Sequence, residues 1–341
     1  MNMIYQNKIH NVELELSSSC NSWCPSCPRF HMDNHTMYFN IHAALNQQLT
    51  QDQLIQIINE TVEEPIIDII GTVGDSMAHN DIEDMLNVIA QLRPRSTLSL
   101  HTNGGLKMPD LYSRIAPLFS KDKKWKMVFS IDGLEDTNSI YRNRVEWTRV
   151  MKNAQAFIDA GGVADWKCVD FDHIQHQKEH IQKLSERMGF NTCYFSENQD
   201  GAGELEKVIR ANGPDIVTDR EHPEAREIIV KPLKFIEVSG IEPKCEIDQY
   251  IHIRADGKVF PCCMIAAHAV DTNRSIRNSV ENHMQLSSGW NDLNNHSFSE
   301  ILSNEKWKQV KSGYTDNPCW SCTHSCGIES DTPNKAPINS K

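Results

Sequence analysis

Six short β-rich runs alternate with helical patterns over the first 195 residues, and this alternation is the strongest constraint on the fold. The strand candidates are 12–16, 66–70, 96–101, 126–130, 165–170 and 191–195. The run 66–70 is almost continuously apolar, as expected of a strand covered on both faces. Helical spacing of apolar residues marks 81–92, 111–119, 150–160 and 178–188. Thr50 and Gln53 form a capping-box pattern that opens a further helix through about residue 60. Gly161-Gly162 and Gly189 close two helices, where a left-handed cap is cheapest for glycine. Six βα units in series predict an α/β fold: a parallel sheet with right-handed crossovers. Six is short of the eight that close a barrel, so the expectation is a partial (β/α)6 TIM-like barrel.

The first strand delivers three cysteines, Cys20, Cys24 and Cys27, spaced Cys-x3-Cys-x2-Cys. Soft thiolates are the usual ligands of iron–sulfur clusters. Three thiolates on a four-iron cubane leave one iron open, and an open iron can hold a substrate or cofactor. A structural zinc site wants four ligands, and His31 and His35 lie near enough in sequence to complete one. Disulfides are disfavoured, because the N-terminal segment shows no apolar secretory core.

This spacing resembles the signature of the radical S-adenosylmethionine (SAM) enzymes. The resemblance implies that the open iron chelates SAM through its amino and carboxylate groups, and that reduction releases a 5′-deoxyadenosyl radical. Further motifs fall where ligands sit in parallel α/β folds, at the C-terminal ends of strands. Gly71-Thr72-Val73-Gly74-Asp75-Ser76 resembles the Gly-rich segment that receives the SAM amino group. There Gly74 would permit close backbone approach and Asp75 would be the acidic partner; alone, such a cluster reads equally well as a turn. His101-Thr102-Asn103-Gly104 resembles the family's Thr-Asn-Gly, with Asn103 a candidate cofactor contact or a plain turn residue. Ser130-Ile131-Asp132-Gly133, followed by Tyr141-Arg142, resembles another family run. Ser130 and Asp132 share a face by period-2 alternation and suit ribose hydroxyls or the SAM carboxylate region. The plain alternative for Arg142 is a surface ion pair. Ser26 stands where relatives commonly have an aromatic, and Ile174 where they often have Asn. His173 and His176 titrate near neutrality as free side chains but are more often merely solvated. The resemblance covers about residues 12–195.

The segment 196–241 has no clean period and reads as a connector. From residue 242 to 328 the chain is a second, Cys-bearing module, and 329–341 reads as a disordered polar tail. Residues 250–260 alternate like a hairpin around Gly257, ending at Cys262-Cys263, and Cys319-x2-Cys322-x3-Cys326 follows. This pattern resembles the SPASM/Twitch accessory iron–sulfur domains of the same family. Six cysteines are too few for two clusters of four thiolates, so one auxiliary [4Fe–4S] cluster is expected. The expected metal ligands are Cys245, Cys262, Cys319 and Cys322, with Cys326 and then Cys263 as substitutes; four thiolates can equally hold zinc. Cys263, beside a ligand, is a candidate catalytic residue that donates a hydrogen atom to a substrate radical or binds substrate covalently. Cys168 and Cys193 fall in strand candidates and read as buried hydrophobes.

The formal net charge of −12 disfavours nucleic acid, whose affinity rests on phosphate contacts. No apolar stretch approaches the roughly 20 residues of a membrane span. Eleven cysteines without a signal peptide point to thiolate ligands in a reducing, cytoplasmic compartment. The function expected is a radical SAM oxidoreductase or maturase with two [4Fe–4S] clusters and S-adenosyl-L-methionine. It would be fed by a reductase or flavodoxin-type electron donor and would act on a small molecule or a peptide side chain. Only about a dozen residues precede the first strand, which leans toward a small or partner-delivered substrate. The rival is a noncatalytic iron–sulfur or zinc protein for electron transfer or scaffolding. It has no need of the strand-end set Asp75, Asn103, Ser130 and Asp132.

Overall fold

The computed structural model describes residues 9–25, 27–33, 36–40, 46–196, 215–216, 238–243, 245, 250–271, 273–316 and 318–329. Ser26, His35, most of the connector and nearly all of the tail lie outside the described residues. The main sheet uses β1 (Ile9–Leu14), then β4 (Thr61–Ile69), β5 (Thr97–Thr102), β6 (Trp125–Ser130), β7 (Ala164–Val169) and β8 (Thr192–Ser196). β2 (Phe30–Asp33), β3 (Thr36–Phe39) and β9 (Asp215–Ile216) make a separate small sheet. The helices alternating with the strands are α1 (Gln51–Asn59), α2 (Ile82–Leu92), α3 (Pro109–Ile115), the short α4 (Asn138–Tyr141), α5 (Trp147–Asp159) and α6 (Lys178–Met188). All pairings from β1 through β8 in this sheet are parallel, which makes it a partial TIM-like barrel, as the six βα units predict.

The local signals act as expected. Thr50 and Gln53 close a reciprocal capping box on α1, and Gly189 ends α6 in the left-handed region at φ 89°. Three elements differ from expectation. β4 starts at Thr61, five residues early, and its pairing with β1 shifts register at the Pro65 end, where proline removes a ladder donor. The helix expected over 111–119 splits into α3 and a 3-10 turn, Ala116–Phe119, because Pro117 cannot donate to the preceding turn. The third concerns the faces of the sheet. Ile67, Ile69, Leu98, Leu100, Met127, Phe129 and Trp166 are buried in one core, yet Ile66 on the other face of β4 is 47 % exposed. β4 is therefore covered on one face only.

The opposite, concave face is polar. Cross-strand register sets His252, Glu13, Asp68, Ser99 and Lys126 in one row over five adjacent strands. Ser99 donates to Asp68, and Lys126 reaches Asp165 at 3.0 Å. Farther along, Ser130, Lys167 and Tyr194 form a second row.

The Cys-bearing region continues this sheet. β10 (Val238–Ile241) pairs with β13 (Gly327–Glu329). β11 (Tyr250–Ile253) lies parallel to β1 and turns through Gly257, at φ 80°, into β12 (Val259–Phe260). The sheet order is β12-β11-β1-β4-β5-β6-β7-β8, so the hairpin extends the barrel edge. Helices Cys263–His268, Arg274–Met284, Phe298–Ser303, Glu305–Asp316 and Trp320–Cys326 complete the region.

Candidate active site and metal centres

The three-cysteine loop leaves β1 and is held by the ends of its neighbours. Asp75 donates its backbone N–H to the Ser19 carbonyl at 2.9 Å. A Cβ on Gly74 would lie 2.1 Å from the Ser17 carbonyl oxygen and 2.6 Å from Ser18 Cα, so only glycine allows the two loops to cross. Gly71 is equally constrained: a Cβ there would lie 1.9 Å from the Gly74 carbonyl oxygen. Arg29 Nη1 donates to the Cys20 and Ser22 carbonyls, and Asn40 Nδ2 ties the Pro28 carbonyl to Val270 of the C-terminal region.

Two sulfurs receive donors from other segments, the end of β5 and the end of α4. Asn103 Nδ2 lies 3.5 Å from Cys20 Sγ and also donates to Asn21 Oδ1 at 2.9 Å. Arg142 Nη1 lies 3.6 Å from Cys24 Sγ, which also meets Ser22 Oγ at 2.9 Å. The Ser22 N–H points at Cys20 Sγ at 3.3 Å. Without a cation, burial pushes the Cys20 thiol up to about 12 and the Cys27 thiol up to about 11. A bound cation would reverse that balance, and soft thiols in a donor-lined loop fit an iron–sulfur group.

The carboxylates expected near a cofactor are engaged by the chain itself. Asp75 accepts from Met77 N, Thr102 Oγ1 and Asn103 N at 2.8–3.1 Å, and its burial keeps its pKa raised. Asp132 is fully buried; it accepts from Val169 N at 2.7 Å and from Arg142 Nε at 2.6 Å. Arg142 is thus no surface ion pair but a link from Asp132 to Cys24. Burial opposes the charge on Arg142, yet the Asp132 carboxylate, together with Cys24 and Tyr141, outweighs it and holds the guanidinium well above its usual pKa. Ser130 sits half-buried at the end of β6. His173 is buried and stacks on Phe171 at 5.3 Å, while His176 is exposed.

The second group of cysteines converges from distant parts of the chain. Cys319 and Cys322 Sγ are 3.5 Å apart at the start of the Trp320–Cys326 helix. Their hydrogen bond lowers the Cys319 thiol to about 7 and raises that of Cys322, on which Cys262 and Cys245 also act. Cys245, Cys319 and Cys322 are buried, and Cys262 is half-buried. Cys326 lies one helix turn on, its carbonyl accepting from Glu242 N at 3.0 Å. Cys168 is fully buried within its strand and Cys193 half-buried.

Cys263 opens its helix beside Glu13, and burial followed by that carboxylate pushes its thiol up to about 12. Glu13 belongs to a cluster that sequence inspection does not reveal. His252 Nδ1 lies 3.6 Å from Glu13 and Nε2 lies 3.3 Å from Glu15, all three groups being buried. Burial pulls the imidazole down, but the two carboxylates outweigh it and hold it at about 9. Thr72 N donates to Glu15 at 2.9 Å, joining this cluster to the Gly-rich loop.

Two comparisons bear on this arrangement. Residues 245–323 match the SPASM family model, an iron–sulfur cluster-binding domain. Among solved structures, anSMEcpe with bound AdoMet superposes with a TM-score of 0.52 at 14 % identity, covering 94 % of this chain and 91 % of that one. The same protein with AdoMet and a Cp18Cys peptide gives 0.51 at 13 % identity, with the same coverage. SuiB from Streptococcus suis, bound to S-adenosylmethionine, gives 0.49 at 15 %, covering 95 % and 77 %. Comparison with curated protein sequences finds no match. The fold is that of the radical SAM proteins. The C-terminal region of this chain is a SPASM domain, built onto the edge of the barrel sheet.

Proposed function

We propose that this chain is a radical SAM enzyme with two [4Fe–4S] clusters, one held by Cys20, Cys24 and Cys27 and an auxiliary one lined by Cys245, Cys262, Cys319 and Cys322. When bound, the first cluster and S-adenosyl-L-methionine supply a 5′-deoxyadenosyl radical that abstracts hydrogen from substrate. The observation that carries the reading is the donor set on the first loop. Asn103, just after β5, and Arg142, at the C-terminal end of α4, aim N–H groups at Cys20 and Cys24, which stabilises thiolates and fixes their orientation. An electron carrier needs neither a three-thiolate loop nor the polar concave face beside it.

The chain's own residues define what surrounds the chemistry. Gly71 and Gly74 bring the second strand-end loop against the cysteine loop, so that Ser130 and the backbone around Asp75 face the cofactor. Asp75, Asn103 and Asp132 hold the loops in register, and with Gly74 and Ser130 would line the place where SAM binds. The accessible part of the row, Asp68, Ser99 and Lys126, suits a polar substrate, a small molecule or a peptide side chain carrying hydroxyl or amino groups. Cys263 lies against Glu13 and beside Cys262, and in this reading its S–H would donate a hydrogen atom to a substrate radical. An external reductase or flavodoxin-type protein supplies electrons.

Anaerobic reconstitution followed by dithionite and SAM tests the class: about eight irons and release of 5′-deoxyadenosine are expected. Zinc in place of iron, or intact SAM, would overturn it. For Cys263, substrate-free SAM cleavage in deuterated water reads the thiol. Less deuterium in the 5′-deoxyadenosine of Cys263→Ser than of the parent is expected, and equal deuterium at an equal iron count discards the role.

A further inference from the structure

The SPASM domain contains a donor that is not a thiol. His283 lies on the helix Arg274–Met284, and one of its imidazole nitrogens falls within 4.8 Å of both Cys319 Sγ and Cys322 Sγ. The placement follows from the packing of two helices. Ile276, Val280 and Met284 bury one stripe of the His283 helix in the core. Ser279, one turn before His283 on the same side, accepts from the Trp320 backbone N–H at 3.0 Å. That bond pins the start of the cysteine-bearing helix against the His283 helix. It brings residue 283 opposite residues 319 and 322, which lie one turn apart.

We propose that His283 is a ligand of the auxiliary metal centre, giving that centre a mixed nitrogen and sulfur donor set. The inference rests on the reading that the SPASM domain holds a cluster, and it changes what that cluster is. Imidazole is an established donor to iron and zinc, and sits naturally beside thiolates. With the proposed ligands Cys245 and Cys262, that makes five candidate donors for a centre that takes four, so one of those two thiols gives way to the imidazole. Replacing an anionic thiolate by a neutral imidazole raises a cluster's potential, as two imidazoles do in Rieske centres. A higher potential makes the auxiliary centre a better acceptor for an electron leaving a substrate radical.

The test uses the full chain with Cys20, Cys24 and Cys27 replaced by Ser, so that only the auxiliary centre is loaded, and with histidine labelled by nitrogen-15. After anaerobic reconstitution and reduction with dithionite, pulsed EPR reads nitrogen coupled to the cluster. A strong coupling that follows the isotope and disappears in His283→Ala is expected. Where His283→Ala fails to retain iron, His283→Cys supplies a thiolate in its place. It should keep the full iron content, lose the nitrogen coupling and reduce at a lower potential. An iron-loaded centre without histidine coupling, or with coupling that survives both substitutions, would overturn the assignment. A centre silent in EPR is read by its potential alone: a midpoint unchanged in His283→Cys counts against the ligand. Failure to load iron at all would instead refute the cluster reading beneath it.

Discussion

Arg142 joins Asp132 to Cys24: its Nε donates to the Asp132 carboxylate at 2.6 Å while its Nη1 stands 3.6 Å from the Cys24 sulfur. One guanidinium therefore links the end of β6 to the cysteine loop, across 118 residues of chain. Asp132 in turn accepts from Val169 N, so three strand ends share one buried network.

Breaking that network should damage both stability and metal retention. Removing one partner of a buried ion pair costs roughly 3–5 kcal/mol, because the other charge is left uncompensated. Arg142→Met should therefore lower the urea midpoint clearly and reduce iron in the first centre, while Arg142→Lys restores part of the charge but not the fork. Urea titration with iron counting checks this. An Arg142→Met protein with parental midpoint and iron content would show that the link is idle.

The crossing of the two strand-end loops makes a steric prediction. Gly74→Ala must displace the Ser17–Ser18 backbone, which the added Cβ would approach to 2.1 Å. SAM cleavage should fall more than about tenfold, since displacing a reacting group by about 1 Å can cost about 10²-fold. Gly161→Ala is the control. Nothing lies within 4 Å of its Cβ, though its φ of 88° strains alanine. It should cost about 1 kcal/mol of stability and leave cleavage intact. Equal effects of the two substitutions on cleavage would rule out the steric explanation.

His252 makes stability depend on alkaline pH. Its folded pKa, about 9, lies above the ordinary 6.5. Its contribution is thus fully present below about pH 6.5 and is lost as pH rises through 9. At about 1.4 kcal/mol for each tenfold change in proton affinity, the loss is on the order of 3 kcal/mol. Denaturation midpoints should fall between pH 7 and 10, and His252→Gln should flatten that slope. A parental slope in His252→Gln would refute the buried imidazolium.

Much of this architecture is legible before folding. Short β-rich runs locate all six strands to within a few residues, because each ends where polar and glycine residues begin. The terminal signals at Thr50, Gly189 and Gly257 act locally and are equally plain. What stays hidden depends on which strands become neighbours. Glu13 and His252 are 239 positions apart in the chain, and only the parallel pairing of β1 with β11 makes them face each other. The apolar run 66–70 looks doubly covered because Ile66 and Ile70 point to the concave face, where Asp68 is the one visible sign of polarity. Asp75, Asn103 and Asp132 stand out as polar residues at strand ends, but their hydrogen bonds to neighbouring loops are tertiary. His283 carries no signal, since it stands 36 positions before Cys319 with no metal-ligand spacing.

The proposed chemistry depends on the cluster at Cys20, Cys24 and Cys27 keeping one iron open for SAM. The decisive measurement is EPR of the reduced protein, with Cys319 and Cys322 replaced by Ser to silence the auxiliary centre. Adding SAM should shift the g-values of the remaining signal. A spectrum unchanged by saturating SAM would mean that every iron is already closed, and the radical SAM reading of this chain would fall.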